Sequence, residues 1–228
     1  MAKDNSGRQH QLRQLVAQHA ARMMAEDGIS DYAYAKRKAG RQLGVLDANC
    51  LPTNTEIEEE IRLFHEIYNS DSQPQALRQL RSDALVVMQL LERFNPHLTG
   101  SVLDGTAGSY AETHIHLFAD SLKDVEIFLL NQQIPYESDE KSYRIGNERR
   151  SHDRKGQDRK KVPVFTLDGP NGLIKLSIFE LDDIRVPTKN KTTGSNATKA
   201  NTKDLQELLA AESVMAESST QLASAQHP

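Results

Sequence analysis

The chain has 228 residues, of which 37% are hydrophobic and 5% aromatic, with no Trp and a net charge of −4. That length suits one ordinary domain with extensions, and so low an apolar content leaves part of the chain outside any packed core. The charge balance argues against bulk nucleic-acid binding, and the single Cys50 excludes an internal disulfide and any Cys-rich metal site. No apolar run approaches the roughly 18 residues of a membrane span, so a soluble, cytoplasmic protein without a membrane partner is expected.

Residues 1–8 are polar and read as loose. From Gln9 the positions Leu12, Leu15, Val16, Ala20 and Met23 repeat at helical spacing up to a stop at Asp27-Gly28. A second helix is expected over 32–43, capped by Ser30 or Asp31, with Lys36, Arg37, Lys38 and Arg41 forming a basic, solvated face. Thr55 with Glu58 suggests a capping box for a third helix running to about Tyr68, with Ile57, Ile61, Phe64 and Ile67 or Tyr68 facing inward. The glutamates 58–60 then fall in its first turn, where the helix dipole favours them. Pro74 opens a long helix to about Arg93, and Asn95-Pro96 ends it.

The period then changes. Segments 97–103 and 113–119 read as strands, and a helix capped by Ser121 follows. Weaker strands are expected at 134–136 and 141–145. Stronger ones at 162–168 and 173–180 flank the turn Asp168-Gly-Pro-Asn-Gly172 and should form a hairpin. Residues 186–203 read as a polar linker, with a short helix beyond Thr202. Helices followed by strands and a helix give an α+β class with a small mixed sheet.

One stretch, 98–120, concentrates the candidate chemistry. Gly100 and Ser101 end the first strand, and Gly105 and Gly108 keep the next loop free. A glycine at a strand end allows close backbone approach, and neighbouring N–H groups with the Ser101 hydroxyl can hold a phosphate. Twelve residues after Ser101, His114 and His116 stand two apart on a strand and therefore share a face. Glu112 joins that face if the strand begins early. Asp104 reads as a turn residue and Cys50 as a packed one.

The order hydrophobic-Gly100-Ser101, a dozen residues, then alternating positions on a second strand resembles the nucleotidyltransferase superfamily, the polymerase-beta-like fold. The likeness covers roughly 98–180 and extends to bacterial members in which a helical half precedes the core. It implies an N-terminal helical region (1–96), a nucleotidyltransferase-like α/β core (97–185) and a flexible C-terminal tail with a short helix (186–228). It also implies nucleotidyl transfer from a nucleoside triphosphate, with Gly100, Ser101 and Gly105 on the phosphates. The family carries two acidic residues where this chain has His114 and His116. With Glu112 these are the candidate catalytic residues, and the two histidines the candidate metal ligands, for magnesium, manganese or zinc. Imidazole serves magnesium poorly, which points to an inactive or atypical member. The family's third carboxylate belongs on the strand 173–180. One face of that strand offers Lys175, Ser177 and Phe179, and the other is apolar until Glu180.

Residues 141–161 hold the strongest basic cluster, including Arg149, Arg150, Arg154 and Lys155. It reads as a loop between strands that would attract RNA, polyphosphate or an acidic partner. Only Tyr143 is near enough to stack on a base, which disfavours sequence-specific single-strand reading. A non-catalytic RNA- or protein-binding module is therefore the alternative to the nucleotide-binding reading.

Overall fold

The computed structural model describes residues 2–29, 31–45, 50–144, 159–186, 188 and 197–225. The class is α+β: helices come first, then a six-stranded mixed sheet.

Helices α1 (Ala2–Glu26), α2 (Tyr32–Gln42) and α3 (Asn54–Tyr68) pack around one apolar cluster that includes Val16, Ala20, Ala35, Ala39, Ile57 and Ile61. Helix α1 begins at Ala2, so the polar start is helical rather than loose. Asp31 caps α2 by accepting from the Tyr34 N–H. The capping box of α3 is Thr53 with Glu56, two residues ahead of the expected pair. The packed face also differs from the expected one: Glu58 and His65 are buried beside Ile57 and Ile61, while Ile67 and Tyr68 are exposed. Glu58 is thus part of the packed face and is held by an ion pair with Arg62 at 2.7 Å. On α2, Lys36 donates to the Pro52 carbonyl and Lys38 lies over the Tyr34 ring.

Helix α4 (Ser72–Leu90) buries Leu77, Leu80, Arg81, Ala84 and Met88. The sheet follows. Strand β1 (His97–Thr99) is cut short by Gly100 and leads into a single helical turn, α5 (Ser101–Asp104). Strand β2 (Thr113–Ala119) precedes α6 (Leu122–Asn131), which Ser121 caps. Then come β3 (Glu137–Arg144), β4 (Arg159–Gly169) and β5 (Gly172–Glu180), a 3₁₀ turn at Leu181–Arg185, β6 (Ala200–Asn201) and the long α7 (Thr202–Ala225). The sheet order is β3-β4-β5-β2-β1-β6. Strands β2 and β5 run parallel; every other neighbouring pair is antiparallel, including the β4–β5 hairpin.

Alternation divides the sheet. Leu98, Ile115, Leu117, Leu176, Ile178 and Phe165 point to the helical side and form the main core with α4, Val125 and Leu129 of α6 and Leu205 of α7. The opposite face carries the polar residues of β1, β2 and β5. There, Phe118, Val162 and Phe179 make a second, small cluster with Tyr143 and Ile184.

Candidate functional site

Thr99, the last residue of β1, pairs with His114, and His97 pairs with His116. In parallel register β5 sets Lys175 beside His114 and Ser177 beside His116. Directly paired residues share a face. One surface therefore carries His97, Thr99, His114, His116, Lys175 and Ser177, with Phe118 and Phe179 one step further along the strands. The register resolves which side of β5 meets the histidines: it is the side that lacks a carboxylate.

Gly100 follows at the strand end with φ of +76°, a backbone state that side chains rarely adopt. A Cβ there would stand 3.5 Å from His114 Cδ2, an ordinary contact, so the requirement for glycine is conformational rather than one of space. Ser101 is half-buried and opens α5. Its carbonyl accepts from the N–H groups of Thr106 and Ala107, and the Gly100 carbonyl accepts from Asp104 N–H. Gly105 closes the turn with φ of +84°. Asp104 lies within α5, and burial raises its carboxyl pKa above the usual range. Cys50 is buried and free.

Glu112 stands one residue before β2, and its side chain reaches back to the sheet face. Its Oε2 lies 3.8 Å from His114 Nε2, and its Oε1 accepts from Lys175 Nζ at 2.7 Å. Glu112 and His114 are thus together, both about a quarter exposed. His116 belongs to a different environment, 3% exposed. Its ring lies edge-on to Tyr143 at 5.3 Å and against Phe179 at 4.7 Å, and its Nδ1 is buried with no hydrogen-bond partner among the described residues. Burial, reinforced by Lys199, His114, Lys141 and His97, drives its pKa down to about 3. His116 is therefore neutral at physiological pH.

Four further side chains complete this face, and none was among the candidate site residues of the sequence. Tyr143 and Ser177 share a hydrogen bond of 2.7 Å. His97 meets the Phe118 ring edge-on, and the Lys199 ammonium sits 5.0 Å from the same ring. Period-2 alternation on β1 could have found His97. No sequence signal pointed to Lys199, which comes from the segment read as a linker.

The donor set does not fit magnesium. A hard dication needs oxygen ligands, and the one carboxylate beside His114 is engaged by the Lys175 ammonium. Among the described residues no three His, Cys, Asp or Glu side chains gather in an arrangement that could hold a metal ion. What the face can offer an anion is hydrogen-bond donors: His114 and the Lys175 ammonium stand beside a positive-φ turn whose backbone is open to close approach.

Arg149, Arg150, Arg154 and Lys155 lie outside the described residues. Of the same basic cluster, Lys160 pairs with Asp183 and Glu180, and Lys161 with Glu140. No helix among the described residues is long and apolar enough to cross a membrane.

Comparison with protein-family models, with curated proteins and with solved structures returns no match for this chain.

Proposed function

We propose that the chain is a nucleotidyltransferase-type protein that keeps the phosphate-holding turn without the metal-dependent transfer step, and that it binds a phosphorylated ligand, a nucleotide first among them. One observation carries this reading. The β1–β2–β5 register puts the Gly100 turn, His114 and Lys175 side by side, with lysine and serine where a transferase of this type needs a carboxylate. Phosphoryl-transfer chemistry depends on dications to neutralise the triphosphate. Lysine and imidazole donors beside the turn can hydrogen-bond a phosphate without a metal.

Calorimetric titration of the full chain with ATP, in EDTA and then in magnesium, manganese or zinc, tests the proposal. Binding should persist in EDTA and weaken by about tenfold or more in His114→Ala and in Gly100→Val, since loss of one charge-assisted hydrogen bond, or strain at a positive φ, costs on the order of 1–3 kcal/mol. Absence of ATP binding under every condition sinks the reading. Binding that requires a metal, with pyrophosphate released, replaces it with active transfer. The charge cluster around Arg149, Arg150, Arg154 and Lys155 favours the RNA-binding alternative. It predicts a salt-dependent shift of labelled RNA that disappears when those arginines are neutralised.

A further inference from the structure

Two elements from the C-terminal end bracket the Gly100–Ser101 turn. Upstream of it, β6 pairs with β1, Ala200 against Leu98 and Asn201 against His97. Downstream, Arg81 of α4 is 5% exposed and holds the carbonyls of the short helix. Its Nε donates to Val102 O and its Nη2 to Leu103 O, both at 2.9 Å, while its Nη1 donates to Glu212 of α7. The corner between β6 and α7 is fixed as well. Asn201 Oδ1 accepts from the N–H groups of Lys203 and Asp204, and Asp204 returns the bond to Asn201 N–H. Helix α7 then docks through buried Leu205, with Leu208 and Leu209 against the main core, and Arg78 donates to Ser213 Oγ at 2.6 Å.

We infer that the segment Ala200–Ser213 is a clasp that sets the conformation of the Gly100–Ser101 turn, with Arg81 as the positioning residue through which α7 reaches it. A buried guanidinium that donates to two carbonyls needs a counter-charge, because removing one member of a buried pair leaves the other uncompensated. Glu212 supplies that charge from α7, and the carboxylate of α5, Asp104, is itself pushed towards its neutral form by burial. Gln73 of α4 donates to Gly105 O and Ala107 O, so the turn is supported from α4 throughout. The link to α7 runs through Arg81. Undocking of α7 therefore loosens the turn, and a ligand seated on the turn favours the docked helix. The ligand half of this statement rests on the function proposed above; the structural half does not.

Native-state hydrogen exchange on the full chain tests it. In Glu212→Gln the amides of Asp104, Thr106 and Ala107, which close the turn, should exchange about tenfold or more faster, with α1–α3 unchanged. Ser213→Ala removes a second polar contact between α4 and α7 and leaves Arg81 with Glu212, so it should leave these amides at wild-type rates. Unchanged turn amides in Glu212→Gln, or equal acceleration in Ser213→Ala, overturn the clasp. If Glu212→Gln loosens the whole sheet, Arg81→Lys decides: it keeps the charge and loses the two-carbonyl fork, and acceleration confined to the turn supports the clasp while uniform acceleration overturns it. Calorimetry with ATP forms the second arm, with affinity in Glu212→Gln expected to fall about tenfold, the equivalent of one charge-assisted contact. A wild-type chain that binds no ATP overturns the proposed function, and the exchange rates alone then decide the clasp.

Discussion

His116 and His114 are two residues apart on one strand and share a face, yet they have different chemistry. His114 is about a quarter exposed beside Glu112, whereas His116 is enclosed by Tyr143, Phe179 and Ser177. Its folded-state pKa of about 3 lies below the ordinary 6.5. Between those values the unfolded chain binds the proton and the folded chain does not, so stability rises with pH across that window and is lost as pH falls from about 6.5. At pH 5 this one group costs about 2 kcal/mol relative to pH 7.5, from 1.36 kcal/mol per pKa unit. Glu58 and Asp104 act in the opposite sense, since burial raises their pKa values and favours the folded state as pH falls. The His116 share is isolated by comparing urea unfolding of wild type and His116→Gln at pH 7.5 and 5: the variant should lose about 2 kcal/mol less between the two. Equal losses would show that His116 titrates normally.

At the level of elements, the capping box of α3 makes a direct test. Thr53 accepts from Glu56 N–H, and the Glu56 carboxylate returns to Thr53 N–H at 2.6 Å. Thr53→Ala should cost about 1 kcal/mol in chemical denaturation, and Thr55→Ala much less. Both Thr53-x-x-Glu56 and Thr55-x-x-Glu58 fit the sequence pattern, so the motif was legible and its register was not. What decides the register is burial of Glu58 and His65, polar residues that enter the packed face because Arg62 and Asn69 bind them. The helix stops, the strand at Thr113–Ala119 and the β4–β5 hairpin could be read from glycine, proline and alternation. Strand β3 could not be read at its true extent, since Glu137-Ser-Asp-Glu-Lys141 has no apolar face and exists by pairing with β4. Nor could β6, two residues made into a strand by β1. In the candidate site, the adjacency of the Gly100 turn to His114 and of Glu112 to His114 followed from spacing. The partners from β5, β6 and the 199–201 region depend on strand order, which spacing does not encode.

Among the described residues the two largest apolar clusters lie within α1–α3 and between the sheet and helices α4, α6 and α7. They meet where Gly28 lies against Tyr110 and where His65 lies against Gly108. Ile57 is fully buried in the first core and Leu176 in the second. Each truncation to Ala should cost about 2–5 kcal/mol. Local exchange should separate them: Ile57→Ala loosens α1–α3 more than β2 and β5, and Leu176→Ala does the reverse. Identical exchange patterns would mean that the two cores open as one unit.

The order of strands has a consequence for how copies of this molecule behave towards one another. The sheet ends on β3 and β6, and a free strand edge is a template for another chain. Strand β6 offers only two residues. Strand β3 is longer, but Glu137, Ser138, Asp139 and Glu140 are all exposed on it, three of them acidic. A copy adding parallel and in register would set Glu137, Asp139 and Glu140 each against its own counterpart, like charge against like charge. Salt screens that repulsion over distances of about 10 Å and more at 0.1 M. Pairing Asp139→Asn with Glu137→Gln weakens it, leaving Glu140, and the doubly neutralised chain should scatter light at salt concentrations where the wild type stays clear. The acidic stretch of an outer strand thus bears on how copies of this protein meet, independently of whatever its histidine face binds.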